Sequence, residues 1–310
     1  MIRKLITFGA FLTLSLSVEL ISCKQENKSV NGFKPKAEHV FLIGIDGWGA
    51  YSVEKGNIPN IRNLMQTGSY TLEKRAVLPS SSAPNWASMY MGAGPELHGY
   101  CEWGSQVPDL PSRIVNEHNI FPTIFSILRD QNPEAKIGNL CEWDGIRYLV
   151  DTLALDYDKH VVETGTDSTA TAKYAVEYIN KEKPTFFNIV FDALDHVGHA
   201  KGHDTEAYYN KLSELDKYIG DIVNAIKKTG IWNESIIIVT ADHGGIGLGH
   251  GGRTMQEMET PFIIAGKGIK KNYIIEESMM QFDVASTIAS IFGLKQPQVW
   301  IGRSISSIFE

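Results

Sequence analysis

The stretch Ser235-Ile236-Ile237-Ile238-Val239-Thr240-Ala241-Asp242-His243-Gly244-Gly245-Ile246-Gly247-Leu248-Gly249-His250-Gly251-Gly252 decides how the chain is read. Its β-branched run predicts a strand buried on both faces, as parallel sheets require. The run ends on an adjacent carboxylate and imidazole, and six of the next nine residues are glycine. Such a loop is too poor in side chains to pack a core. It suits a place where backbone must come close to a ligand, and oxygen and nitrogen donors reach a metal together. The competing reading is a tight turn in which Asp242 caps a neighbour.

Working outward, apolar strands alternate with helical segments. His39 to Ile45 reads as a strand ending at Asp46, and Thr185 to Asp192 as another. Ser80-Ser81-Ser82-Ala83-Pro84-Asn85 reads as a helix start, with hydroxyl caps and proline in the first turn. Asp167 to Lys181, a helix capped by Asp204 and running to Lys228, and Phe282 to Phe292 complete the main helices. The alternation predicts an α/β fold, a largely parallel sheet with helices on both faces. Residues 95–165 are irregular and aromatic-rich, which suggests a cap over the site. Ligands of such sheets bind beyond the carboxyl ends of the strands, where Asp46, Asp195 and Asp242 would meet.

Asp195-His196-Val197-Gly198-His199 adds a carboxylate and an imidazole four residues apart. With Asp46, Asp242, His243 and His250, three aspartates and three histidines are enough for two divalent ions. The mixed donor set suits Zn²⁺, with Mn²⁺ as the second choice. Two such ions clamp the attacking and leaving oxygens of an in-line displacement. Ser82 is the candidate nucleophile because it opens a helix whose amides and dipole favour an anion. Ser80 and Ser81 compete on composition, and a plain N-cap would also explain Ser82.

These motifs resemble the alkaline phosphatase superfamily, most closely its type I phosphodiesterase / nucleotide pyrophosphatase branch. Ile45-Asp46-Gly47, Ser82-Ala83-Pro84-Asn85, His98-Gly99, Asp195-x-x-Gly198-His199 and Asp242-His243-Gly244 follow the family order across residues 39–305. The resemblance implies a three-layer sandwich and a phosphoric ester hydrolase with a covalent phosphoserine at Ser82. It also implies one metal held by Asp195, His199 and a late histidine, and another by Asp46, Asp242, His243 and the Ser82 oxygen. Only His250 of the nine histidines follows the Asp-His-Gly motif; His203 is the fallback, otherwise a surface residue at the cap of the next helix.

The departures bear on substrate. Trp103 stands where the branch has a phosphate-binding asparagine, so monoester cleavage is the alternative to diester or pyrophosphate cleavage. Arg253 and Arg147 are candidate phosphate grips, and Asn85 and Trp103 candidate substrate contacts. Glu102, Trp103, Glu142, Trp143 and Asp144 would make an aromatic and acidic pocket, or else two buried tryptophans with exposed acids. A sulfatase would need arginine where Trp86 stands. A non-catalytic surface-binding lipoprotein is the reading from another class.

A net charge of −7 argues against a nucleic-acid scaffold. Arg3 and Lys4 before the apolar run from Leu5, ending in Leu20-Ile21-Ser22-Cys23, predict a signal peptide over residues 1–22 with a lipobox. Cys23 would carry the lipid, residues 23–36 would tether the chain, and residues 37–310 would form the catalytic domain. The expected location is therefore the cell envelope, periplasmic or anchored to the outer membrane. Outside the cytoplasm, Cys101 and Cys141 could pair as a disulfide.

Overall fold

The computed structural model describes residues 35–162 and 166–310. The expected signal peptide, Cys23 and nearly all of the tether lie outside the described residues. Eight strands form one sheet: β1 His39–Ile45, β2 Gly68–Arg75, β3 Ile137–Cys141, β4 Tyr157–His160, β5 Phe186–Phe191, β6 Ser235–Thr240, β7 Glu259–Gly266 and β8 Tyr273–Ile274. Their order is β4-β3-β5-β1-β6-β7-β2-β8. The helices are α1 Ser52–Lys55, α2 Pro59–Thr67, α3 Ser82–Met91, α4 Pro95–His98, α5 Ile124–Gln131, α6 Thr169–Glu182, α7 Ala193–Lys201, α8 Glu206–Lys228, α9 Met255–Met258 and α10 Asp283–Phe292.

The sheet is parallel from β4 through β6, while β7 runs antiparallel to both β6 and β2. The middle strands β1, β5 and β6 read as continuous apolar runs because both of their faces are covered. Along β1, Val40 and Leu42 join the core under α3, α5 and α10, whereas Phe41, Ile43 and Ile45 join the core under α2, α6 and α8. Burial of this apolar surface, at about 25 cal/mol per Å², holds the strand ends in fixed register. That rigidity is what the site uses.

Several expectations change. Residues 95–165 contribute β3, where an apolar strand at Lys136 to Leu140 is expected, and also β4, to the main sheet. Helix α8 is capped by Thr205, whose side chain accepts from the Tyr208 amide, rather than by Asp204, which sits one residue earlier at φ +62°. Cys101 and Cys141 are free thiols. Cys141 is buried at the end of β3, and Cys101 turns toward the carbonyls of Pro95 and Gly99. No helix among the described residues is long and apolar enough to cross a membrane.

Candidate active site

The neighbouring strands β5, β1 and β6 deliver their carboxyl ends to one point. Asp46 follows β1, Asp242 and His243 follow β6, and Asp195 stands in the first turn of α7 after β5. All four side chains are buried. His243 Nε2 lies 3.2 Å from Asp242 Oδ2 and 3.5 Å from Asp46 Oδ1. The Ser82 hydroxyl is 3.3 Å from the same nitrogen. Ser82 is the first residue of α3, and Ser81 occupies the cap position without a side-chain cap bond. Thus Ser82 is not the cap.

The turn after β1 depends on Gly47. Its φ is +69°, and a Cβ there would lie 2.6 Å from Asp195 Oδ1. Both the left-handed backbone and the close approach call for glycine. The Gly47 amide donates to Asp242 Oδ1 at 3.2 Å, so the β1 turn orients the β6 carboxylate.

The second group is more open. Asp195 Oδ2 is 3.1 Å from His199 Nε2 and 3.8 Å from His250 Nε2. The two imidazole Nε2 atoms are 3.1 Å apart. Each ring has its other nitrogen on a backbone carbonyl: His199 Nδ1 donates to Leu248 at 2.9 Å, and His250 Nδ1 to Ser80 at 3.1 Å. Those bonds leave both Nε2 atoms directed at the same point, the usual way a protein orients imidazole ligands.

Charge in this pocket is unbalanced. Burial, followed by Asp242, Asp192 and Asp195 as like charges, pushes the Asp46 carboxyl well above the ordinary carboxylate range. Burial and then Asp195 push Asp242 up to about 8. Burial also acts upward on Asp195, but His199 and His203 outweigh it and hold that carboxyl below its usual range. The bond to Asp195 raises His199 to about 9, whereas burial and then His243 lower His250 to about 4. Asp46 Oδ1, Asp195 Oδ1 and Asp242 Oδ2 are buried without hydrogen-bond partners. Buried oxygens in that condition are costly unless a cation meets them. Two groups have the donor spacing for one: Asp195 with His199 and His250, and Asp46 with Asp195 and His243. Both groups draw on Asp195, and the residues gathered here fit the binding of divalent cations.

Other expected residues go elsewhere. The Asn85 side chain is buried and fully engaged: Oδ1 accepts from the Val77 amide, and Nδ2 faces the carbonyls of Val77, Pro79 and Ser81. It braces the loop before Ser82 and offers nothing to a substrate. Arg147 is paired with Asp158 at 2.8 Å and Asp144 at 3.4 Å. Arg253 is exposed. Trp103 is 66% exposed, and its carbonyl accepts from the Ala83 amide at 3.1 Å. Its backbone thus lies beside the turn at Ser82, and one of the helix-start amides expected to meet an anion is already used. The aromatic and acidic pocket does not assemble. Glu142 is buried and accepts from the Asp192 and Ala193 amides, capping the α7 start, whereas Asp144 turns to Arg147 and His160. His196 pairs with Asp192 at 2.7 Å.

Two supporting residues escaped the sequence reading. Trp86 Nε1 donates to Asp46 Oδ2 at 2.8 Å. The indole reaches that far by lying over Gly44, where a Cβ would sit 2.2 Å from it. Lys74 is fully buried behind Asp242, donating to the Ala241 carbonyl at 2.9 Å and to the Gln281 side-chain oxygen. For Trp86 a signal existed, since it lies one helical turn after Ser82; for Lys74, in an ordinary polar-apolar strand, none did.

A model of the type I phosphodiesterase / nucleotide pyrophosphatase family matches residues 40–258. A bis(5'-adenosyl)-triphosphatase of Mus musculus is 22% identical over 222 residues, covering 69% of this chain and 48% of the relative. Arylsulfatase K of Bos taurus is 30% identical over 105 residues, 32% of this chain and 19% of that protein. Among solved structures, an inactive form of murine ectonucleotide pyrophosphatase / phosphodiesterase 5 in complex with AMP superposes with a TM-score of 0.73 at 16% identity, covering 88% of this chain and 100% of that chain. A 2-O glycosaminoglycan sulfatase gives a TM-score of 0.67 at 15% identity, with 86% and 73% covered. The chain spans about half the length of the first of these curated relatives.

Proposed function

The chain belongs to the type I phosphodiesterase / nucleotide pyrophosphatase family, and from that membership we propose that it hydrolyses phosphate diesters or pyrophosphate-linked nucleotides through a phosphoserine at Ser82. The observation that carries this is the Ser82 hydroxyl 3.3 Å from His243 Nε2, at the edge of buried carboxylates whose oxygens lack partners. Asp46, Asp242, His243 and Ser82 would hold one divalent ion, and Asp195, His199 and His250 the other, with Zn²⁺ preferred and Mn²⁺ second. When bound, such ions supply Lewis-acid charge beside the attacking and leaving oxygens.

The chain's own residues set up the displacement. The Ser82 oxygen attacks phosphorus, the new Oγ–P bond forms, and the bond to the leaving alkoxide or phosphate breaks. The Ser82 hydroxyl proton passes to solvent in that step, and a diester leaves its second ester group on the phosphorus bound to Ser82. Water then attacks that phosphorus from the vacated side and gives up a proton, and the Ser82 oxygen departs and takes one up. Asn85 and the Ser80 carbonyl hold the nucleophile turn and His250 in place. Trp103, whose backbone touches that turn and whose side chain is exposed, is the candidate contact for the organic part of a substrate. That the relatives include a bis(5'-adenosyl)-triphosphatase and a structure holding AMP supports a nucleotide as that part.

The second reading is phosphomonoester cleavage, favoured by Trp103 standing where an asparagine would grip phosphate. Trp86 in the place of arginine, with its indole committed to Asp46, argues against a sulfatase. Residues 1–22 and Cys23 support a lipid-anchored protein of the cell envelope.

The deciding experiment is kcat/KM for matched nitrophenyl mono- and diesters and a dinucleoside polyphosphate, with acid quench and mass spectrometry of the Ser82 peptide. Ser82→Ala is expected to lose at least ~1,000-fold, and the wild type to carry on Ser82 the substrate's phosphoryl group with the ester group it retains, a nucleotidyl adduct from a dinucleoside polyphosphate and a bare phosphoryl group only from a monoester. Full hydrolysis by Ser82→Ala would defeat the proposal.

A further inference from the structure

His203 is not the surface residue its place before α8 suggests. It is 5% exposed, and its imidazole is wedged between two glycines from different parts of the site. A Cβ on Gly198, in α7, would fall 2.4 Å from His203 Nε2. A Cβ on Gly245, in the loop after β6, would fall 2.3 Å from the same atom. The ring cannot slip sideways. Its Nδ1 donates to the Gly247 carbonyl at 3.1 Å, and its own amide donates to that carbonyl at 2.7 Å. Its free edge meets Asp195 Oδ1 at 3.5 Å.

Each contact joins one side of the half-site to the other. Gly198 is the residue before His199, and Asp195 lies one turn earlier on the same helix. Gly245 and Gly247 belong to the loop that carries His250. We propose that His203 is a positioning residue, a rigid spacer that sets the separation between α7 and the glycine-rich loop at which Asp195, His199 and His250 close on one cation. This rests on the reading of the site as a two-cation centre. It also explains why glycine is needed at Gly198 and Gly245, where no positive φ requires it: the imidazole fills the space of their side chains.

The test uses the full chain, stripped of metal and titrated with Co²⁺ by calorimetry and visible absorption. The wild type is expected to take up two equivalents in separable steps. Asp242→Asn identifies the step belonging to the Ser82 side by removing it. His203→Ala is expected to weaken the other step roughly 10- to 100-fold, the usual cost of losing a residue that orients ligands, and to leave the Ser82-side step unchanged. His203→Gln, whose amide can still donate to Gly247, is expected to weaken the same step less, and it stands in should the alanine variant not fold. Gly245→Ala is expected to weaken that step in the wild type but to cost nothing further beside His203→Ala, where the space is already open; such non-additivity marks direct contact. Unchanged Co²⁺ steps in a folded His203 variant, or additive losses in the double variant, would overturn the proposal. A wild type that takes up fewer than two equivalents would overturn it through its premise, and the wild-type titration alone shows that case.

Discussion

The two halves of the site are built on different foundations. Asp46, Asp242 and His243 stand on the ends of β1 and β6, and none is more than 1% exposed. Their supports are a strand register, the Gly47 amide and the Trp86 indole. Asp195, His199 and His250 stand on a helix start and a glycine-rich loop, and the His199 side chain is 47% exposed. The buried half can hold a nucleophile in one geometry because nothing around it can move without breaking the sheet. The open half is set by fewer and more local contacts, which suits the passage of water and a leaving group in the proposed reaction. The comparison teaches that the half with the rigid scaffold carries the electrostatic strain, since Asp46 and Asp242 are the carboxyls pushed upward.

Breaking the buried half should therefore have opposite effects on activity and stability. Under the proposed two-ion reading Asp242→Asn removes a metal donor beside Ser82, and kcat/KM is then expected to fall by more than the ~100-fold upper bound for supporting partners. The metal-free protein should become more stable. The folded state of the wild type holds a proton on Asp242 up to about pH 8 that the unfolded chain releases near its ordinary value, so stability declines as pH rises through that window. Asparagine has no such term. Chemical denaturation at pH 8 should show a gain of about 1–3 kcal/mol, the scale of single substitutions. A variant that is inactive and also less stable without metal would contradict the assignment of strain to this half.

Trp86 sharpens the comparison one step further out. Trp86→Phe keeps most of the packing over Gly44 but leaves Asp46 Oδ2 without its donor. The cost of a lost partner to a buried carboxylate is about 1–3 kcal/mol. Roughly a 10- to 100-fold weaker Ser82-side Co²⁺ step is expected, with the His199-side step untouched. Equal weakening of both steps would mean that the indole supports the whole fold rather than one half.

The difference between the halves also marks what could be read in advance. The central strands and their acids are legible because apolar runs ending at Asp46, Asp192 and Asp242, with Asp195 just beyond the second, are local patterns, and a parallel sheet must collect them on one edge. The reversed direction of β7 was not, since an apolar strand reads alike in either direction. His203 looked like a surface cap because its burial depends on Gly198 and Gly245, far apart in sequence and brought to it only by the fold. Asn85 carries the family pattern, yet its side chain serves the backbone of its own turn. A disulfide between Cys101 and Cys141 follows from an oxidising location alone, and the fold sends the two thiols to a loop and a buried strand end.

Lys74 gives the smallest expected effect and the most selective one. Burial lowers its ammonium to about 7, although the charges of Asp242 and Asp283 act the other way. A lysine whose folded value lies below its ordinary 10.5 binds fewer protons folded than unfolded between those limits. By linkage it makes stability rise with pH from about 7 toward 10.5, and below that window it costs the same at every pH. Lys74→Met fills the same volume without charge, so the metal-free variant should lose that rising slope. Its stability advantage over the wild type should be largest near pH 7 and shrink by pH 9.5, before the buried tyrosines titrate. The Ala241 carbonyl keeps a second donor in Gln281 Nε2 at 3.1 Å, so the peptide ahead of Asp242 should stay in place and kcat/KM should change less than about 10-fold, below the range for supporting partners. Urea denaturation across pH 7–9.5 checks the slope. A stability difference that does not vary with pH would show that Lys74 stays charged in the fold, as the counter-charge to the buried carboxylates of the Ser82 half.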